Sequence, residues 1–438
     1  MRFFLYIRGK ASYIALPLPH GDFQPQGSSS STTRWRSLEL HTHHSALGVA
    51  IALRPVQPVT LVRPHAARRA ARFFKQKFPG TSMYAVKANP SPELLLELWA
   101  GGITHYDVAS IAEVRLVRSI LPEAVLCFMH PVKAEEAIAE AYRDHGVRTF
   151  SLDSMDELEK ITRATNDASD LNLCVRLRVS SDHSKLSLAS KFGVSVEDAP
   201  TLLLATRQAA DALGICFHVG SQAMSPEAYA NAIEQVRAAI VKAAVTVDIV
   251  DVGGGFPSVY PDMEPEALEA YFDVIHRGFE SLPVSYSAEL WAEPGRALCA
   301  EYASVLVRVE KRSDDVLYIN DGAYGSLFDA AHIGWRFPVA LVRDSVSDAK
   351  TMPFSFYGPT CDDLDHMAGP FELPADVRAG DYIEIGMLGA YGAAMRTGFN
   401  GFTAGETVAV TDAPMASLYI GDTDDQEDAR VVEIAKRL

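Results

Sequence analysis

From Val59 to about residue 296 the sequence alternates short apolar runs with amphipathic helical patterns, and few architectures accept that rhythm. Val59–Val62, Met83–Val86, Gly102–Val108, Ala124–Met129, Thr149–Leu152, Leu173–Val179, Ile215–Val219 and Val247–Val252 read as strands. Between them Ala66–Phe78, a segment opening at Ser110, Lys133–Asp144, Ser154–Ala164, Pro200–Leu213 and Pro226–Ala244 read as helices. Strand, helix, strand repeated this often implies parallel strands with right-handed crossovers, in a closed (β/α)8 TIM-like barrel or an open doubly wound sheet. The barrel is preferred because Lys87, Asp107, Arg178, His218 and the glycine run at Gly253 recur at one strand end after another. An open sheet would gather them at a single switch point.

After Ala297 the helices thin out. Tyr302–Lys311, Val316–Asn320, Phe354–Tyr357, Tyr382–Ile385 and Thr407–Val410 read as strands separated by turns, so a C-terminal antiparallel β domain is expected. The expected boundaries are a poorly ordered leader at 1–48, a barrel at 49–296 whose first strand can join the β domain instead, and the β domain at 297–438. Within the leader, His41-Thr42-His43-His44 lacks a carboxylate or cysteine partner and is read as a solvated tail, so no metal is expected.

Net charge of -16 and pI near 5.3 argue against a nucleic-acid partner, which selects a clustered basic surface. No apolar run reaches the roughly 18 residues that span a bilayer, and none is expected to bind a membrane. Five cysteines without paired short spacings suggest neither a disulfide framework nor a zinc ribbon, which fits a reducing cytoplasm.

Lys87 ends the buried-looking run Met83-Tyr84-Ala85-Val86, where desolvation is expected to lower the pKa of its amine towards that of a carbonyl-attacking nucleophile. Taken singly it is also an ordinary lysine at a strand end. Gly253-Gly254-Gly255-Phe256 could be a plain turn or an anion cradle, and it matches neither a Walker loop nor a dinucleotide fingerprint. Glu293-Pro294-Gly295-Arg296 pairs a strand-end carboxylate with a guanidinium, as a structural ion pair or as a ring-nitrogen partner beside a phosphate ligand. His218 could be a satisfied core histidine or a ring stacked on a planar ligand. Cys361 sits in a turn-rich acidic loop, Gly358-Pro359-Thr360-Cys361-Asp362-Asp363.

Taken together, Tyr84-Ala85-Val86-Lys87-Ala88-Asn89, Asp107-Val108-Ala109-Ser110, His218-Val219-Gly220-Ser221, Gly253-Gly254-Gly255-Phe256, Glu293-Pro294-Gly295-Arg296 and Gly358-Pro359-Thr360-Cys361-Asp362 resemble the alanine-racemase-fold decarboxylases of ornithine, lysine and diaminopimelate. The motifs occur in the family's order and span residues 55 to 412, with the ornithine enzymes most similar. The resemblance implies pyridoxal 5'-phosphate (PLP) as cofactor, held covalently by Lys87, with His218 on its ring face and Glu293 at its ring nitrogen. It implies Ser221, Gly253, Gly254, Gly255, Arg296 and Tyr391 around the phosphate, and Asp107, Glu113 and Arg178 as supports. It implies a homodimer with shared sites, in which Cys361 returns a proton and Asp362 binds the distal ammonium of a small amino acid, with Tyr324 and Asp329 also near the substrate. Ornithine to putrescine, within polyamine biosynthesis, is the implied reaction. Lysine, another substrate of the same fold, racemisation and a non-catalytic regulatory homologue are the alternatives. Because Asp329 falls earlier than the family's second acid, it leaves the substrate open. Glu293 speaks against a racemase, whose ring nitrogen faces an arginine.

Overall fold

Eight parallel strands close into a barrel in the computed structural model, which describes residues 4–7, 10–13, 40–180, 182–186 and 190–419. They are β1 (Thr81–Ala85), β2 (His105–Val108), β3 (Val125–Phe128), β4 (Thr149–Leu152), β5 (Asn172–Arg176), β6 (Ala212–Cys216), β7 (Ile249–Asp251) and β8 (Glu289–Ala292), and β8 pairs with β1 to close the ring. Helices return the chain between strands. Ile111–Ile120 shows why they form: Ser110 Oγ accepts from Glu113 N at 3.2 Å, and Val114, Val117 and Ile120 recur at helical spacing on the buried face. Each such side chain removed from water stabilises the layer by roughly 1.5–3 kcal/mol.

The barrel interior is filled by Met83, Cys127, Met129, Cys174, Cys216, Ile249 and Trp291. Side chains alternate along a strand, so residues two further on from these point the same way and arrive at the carboxyl-terminal mouth. That rule places Arg176, His218, Asp251 and Glu293 at one end of the barrel.

The second sheet is mixed. Ala303–Ser313 pairs antiparallel with Val316–Ile319, Tyr382–Ile385 and Val59–Val62, whereas Val316–Ile319 and Thr351–Tyr357 run parallel, as do Val59–Val62 and Thr407–Val410. The antiparallel expectation therefore holds for most pairs but not for all. Val59–Val62 belongs to this sheet rather than to the barrel, because it is hydrogen-bonded on both edges there. The strands Val339–Val342 and His366–Pro374 escaped the sequence reading.

The expected leader also needs correction. Thr42–His43 pairs with Ala409 and Val410, and Ala46–Leu53 is a helix capped by Ser45, so order begins before residue 48. By itself, the segment Phe4–Ile7 forms an antiparallel hairpin with Lys10–Tyr13. The remainder of the expected leader lies outside the described residues.

Candidate active site

Lys87 sits in a single 3-10 turn, Val86–Ala88, directly after β1. Its Nζ lies 3.5 Å from Oδ2 of Asp107, which is the third residue of β2 and only 3 % exposed. Partial desolvation at the mouth pulls the lysine pKa down although its side chain stays 42 % exposed, but the Asp107 carboxylate above all outweighs it and holds the amine well above its usual value. The expected depressed pKa is thus overturned: the mouth carries enough negative charge to keep Lys87 an ammonium. Glu113 stands behind Asp107, where its carboxylate accepts from Ala109 N at 2.6 Å. Burial and neighbouring Asp107 push its carboxyl upward.

His218 follows β6, and its Nδ1 accepts the Gly220 N–H at 3.0 Å, which leaves the ring proton on Nε2. Burial, then Lys87 and Arg176, drive its pKa far below the usual histidine range, so the ring is neutral. Glu293 follows β8 and is 7 % exposed; burial, Asp251 and Asp107 raise its carboxyl far above normal. Arg178, expected as a support, is exposed and its backbone N–H bonds to Val194 O at 2.9 Å beyond the strand. Arg176, the last residue of β5, takes its place: its charge acts on Lys87, His218 and Asp251, and its guanidinium lies 5.6 Å from the Phe192 ring centre.

The glycine turn after β7 fits an anion. Gly253 and Gly255 have φ of 67° and 110°, and a Cβ on Gly253 would come 1.9 Å from Phe217 O. At Gly254 it would meet Glu293 O at 2.7 Å and His218 Nε2 at 3.1 Å. The turn is held from behind by Tyr229, whose hydroxyl donates to Gly254 O at 3.1 Å and whose ring stacks on Phe256 at 5.2 Å. Ser221 opens a short strand beside it, where Ala223 N bonds to Gly255 O at 2.9 Å.

Arg296, 5 % exposed, completes this side. Its Nη1 donates to the Tyr260 hydroxyl at 3.0 Å, its guanidinium lies 4.0 Å from the Trp335 ring centre and 5.0 Å from that of Tyr391, and its buried Nε has no partner. Tyr391, with φ of 63°, is tied to the lysine turn by its N–H, which donates to Ala88 O at 2.8 Å. Asp329 lies 3.6 Å from Arg296 Nη2. The helix Phe328–His332 directs it inward onto this arginine, which it neutralises.

Cys361, Asp362 and Tyr324 are not brought to this mouth. Tyr324 donates its hydroxyl to Asp362 and packs on Phe399 at 4.7 Å, and Cys361 Sγ lies 3.2 Å from Asn400 Oδ1. That bond to Tyr324 holds the Asp362 carboxyl below its usual range. Among the described residues, the hydrogen bonds of this trio stay within the C-terminal part of the chain. Leu364, Met395, Phe399 and Phe402 are exposed apolar side chains from the same segments.

An ammonium, a buried protonatable carboxyl, a neutral imidazole and a glycine turn open to an anion thus converge on one opening. The orphaned Arg296 Nε and the Cβ-free turn fit a phosphate, and Lys87 fits an aldehyde, as PLP requires.

Residues 65–300 match the family model described as pyridoxal-dependent decarboxylase, pyridoxal binding domain, and residues 297–389 match its C-terminal sheet domain. A lysine/ornithine decarboxylase of Selenomonas ruminantium is 31% identical over 366 residues, covering 81% of this chain and 90% of that one. An antizyme inhibitor 2 of Xenopus laevis is 33% identical over 368 residues, 76% of each chain. Among solved structures, the arginine decarboxylase of Paramecium bursaria Chlorella virus, bound to agmatine, superposes with a TM-score of 0.74 at 26% identity, over 83% of this chain and 98% of that one.

Proposed function

This chain belongs to the pyridoxal-dependent decarboxylases, and on that premise we propose that it decarboxylates a basic L-amino acid, converting L-ornithine to putrescine and CO2. The observation that carries the reading is the convergence of Lys87, Asp107, Arg176, His218 and Glu293 at the barrel mouth beside the glycine turn and Arg296.

Lys87 would hold the cofactor's aldehyde, Glu293 its ring nitrogen, His218 its ring face, and Arg296 with the glycine amides its phosphate. PLP, once bound, supplies an electron sink for the charge left on Cα when CO2 departs. Asp107 anchors the Lys87 amine at the mouth, and the neutral His218 offers a flat face without adding charge. Aromatic rings of Tyr260, Trp335 and Tyr391 exclude water from Arg296, which strengthens its hold on an anion.

The other half of the site comes from a second copy. Cys361 of the partner subunit would return a proton from Sγ to Cα, oriented by the carbonyl of its Asn400 neighbour. Asp362, kept ionised by Tyr324, would receive the distal ammonium. Because Asp329 is engaged by Arg296, a single acid reads that ammonium, and lysine is the competing substrate. The exposed apolar patch around Phe399 and Phe402 supports the homodimer.

Similarity to an antizyme inhibitor carries a second reading, a regulatory homologue without turnover. The complete set Lys87, Glu293, Arg296 and Cys361 weighs against it. Release of CO2 from ornithine, lysine, arginine and diaminopimelate by the PLP-loaded protein tests both: ornithine is expected to give the highest kcat/KM, and no release from any of them would contradict the proposal.

A further inference from the structure

Asp251, the last residue of β7, is wholly buried and has no part in the reaction described above. Its side chain follows Ile249 into the barrel. Oδ1 accepts the Gly253 N–H at 2.8 Å and so closes the first bend of the glycine turn, while Oδ2 is buried without a donor. The carboxyl beside it is that of Glu293, two residues beyond Trp291, the residue paired with Asp251 on β8; the Glu293 N–H donates to Gly253 O at 2.8 Å. Two ionised carboxylates are both acceptors and cannot bond to each other; one proton between them supplies the missing donor.

The surroundings decide which carboxyl carries it. Asp251 has a backbone N–H to stabilise its charge, whereas Glu293 faces Asp251 and Asp107 in a dry site. The other groups facing the pair are Lys87, Arg176 and the buried thiols of Cys127, Cys174 and Cys216.

We propose that Asp251 is a positioning residue for Glu293: its ionised carboxylate accepts a hydrogen bond from the protonated Glu293 carboxyl through Oδ2 while gripping the Gly253 N–H through Oδ1. One side chain thereby sets the ring-nitrogen partner and the phosphate turn together, and stores on Glu293 a single proton, shared with Asp251 in the free protein, that would leave this pair for a ring nitrogen placed beside Glu293. This rests on the reading of Glu293 as the ring-nitrogen partner.

The full chain, stripped of cofactor, is examined by infrared spectroscopy across pH. A protonated-carboxyl carbonyl band is expected at pH 7, absent in Glu293→Gln, and in Asp251→Asn its titration midpoint falls by about one pH unit or more. No such band in the wild type, a band surviving Glu293→Gln, or an unmoved midpoint in Asp251→Asn would overturn the proposal. Should Asp251→Asn not fold, the wild-type and Glu293→Gln spectra decide. The underlying reading fails separately, if Glu293→Gln leaves PLP affinity and the absorbance of the loaded protein unchanged.

Discussion

Lys87 Nζ and Asp107 Oδ2 stand 3.5 Å apart at the barrel mouth, the amine on the turn that follows one strand and the carboxylate on the next strand. That pairing keeps the amine charged in the free protein. Asp107→Asn is therefore expected to lower the pKa of Lys87 and to make it react faster with an amine-directed reagent near neutral pH, read by peptide mass mapping. An unchanged labelling rate at Lys87 would contradict the pairing.

Substitution in the glycine turn probes the anion cradle. Gly253→Ala places a Cβ against Phe217 O at a φ of 67°, so a stability loss of roughly 1–3 kcal/mol is expected together with weaker PLP binding. Thermal unfolding and cofactor titration read the two effects separately.

Asp329 distinguishes phosphate support from substrate recognition. As the counter-ion of Arg296 it competes with the phosphate for the guanidinium, so its change to Asn is expected to tighten PLP binding about tenfold, roughly 1.4 kcal/mol. The KM for the amino acid, measured at saturating PLP, is expected to stay put. A raised KM with unchanged PLP affinity would restore the substrate role inferred from sequence.

The Asp251 and Glu293 pair makes a pH prediction. Burial raises Asp251 from 3.8 to about 6 and Glu293 further, so the folded protein holds more protons than the unfolded chain over that range. Stability from such groups is fully present below the unfolded pKa and is lost as pH rises through the folded one. Between pH 4 and 7 the cofactor-free wild type is expected to lose roughly 3 kcal/mol relative to Asp251→Asn, read by chemical denaturation at each pH. Parallel pH profiles of the two proteins would refute it.

The proposed sharing of the site between two chains is tested by splitting it. Lys87→Ala and Cys361→Ala homodimers are each expected to be nearly inactive, whereas an exchanged mixture regains about a quarter of wild-type turnover, because half of the dimers hold one intact site. No recovery after exchange, with dimers confirmed by light scattering, would place both groups in one chain's site.

The barrel was legible because β/α periodicity is local, and the strand-end motifs marked its mouth. What stayed hidden depended on where strands stop and on charge summed over several elements. Arg176 and Arg178 share the same parity in Cys174-Val175-Arg176-Leu177-Arg178, so only the end of β5 tells the inward arginine from the exposed one. Asp251 read as a strand end preceding glycines, since nothing local reveals Glu293 beside it. The Lys87 pKa was misjudged because desolvation was visible from the apolar run, whereas the Asp107 carboxylate approaches only once the barrel closes. The Asp329 ion pair stayed hidden because spacing alone does not show that its short helix turns towards Arg296.

The most direct measurement is borohydride reduction of the PLP-loaded protein followed by peptide mass mapping. A pyridoxyl mass on the peptide containing Lys87, and absent from Lys87→Ala, is the expected result. Reduction that leaves Lys87 unlabelled, or that labels a different lysine with full CO2 release retained in Lys87→Ala, would contradict it.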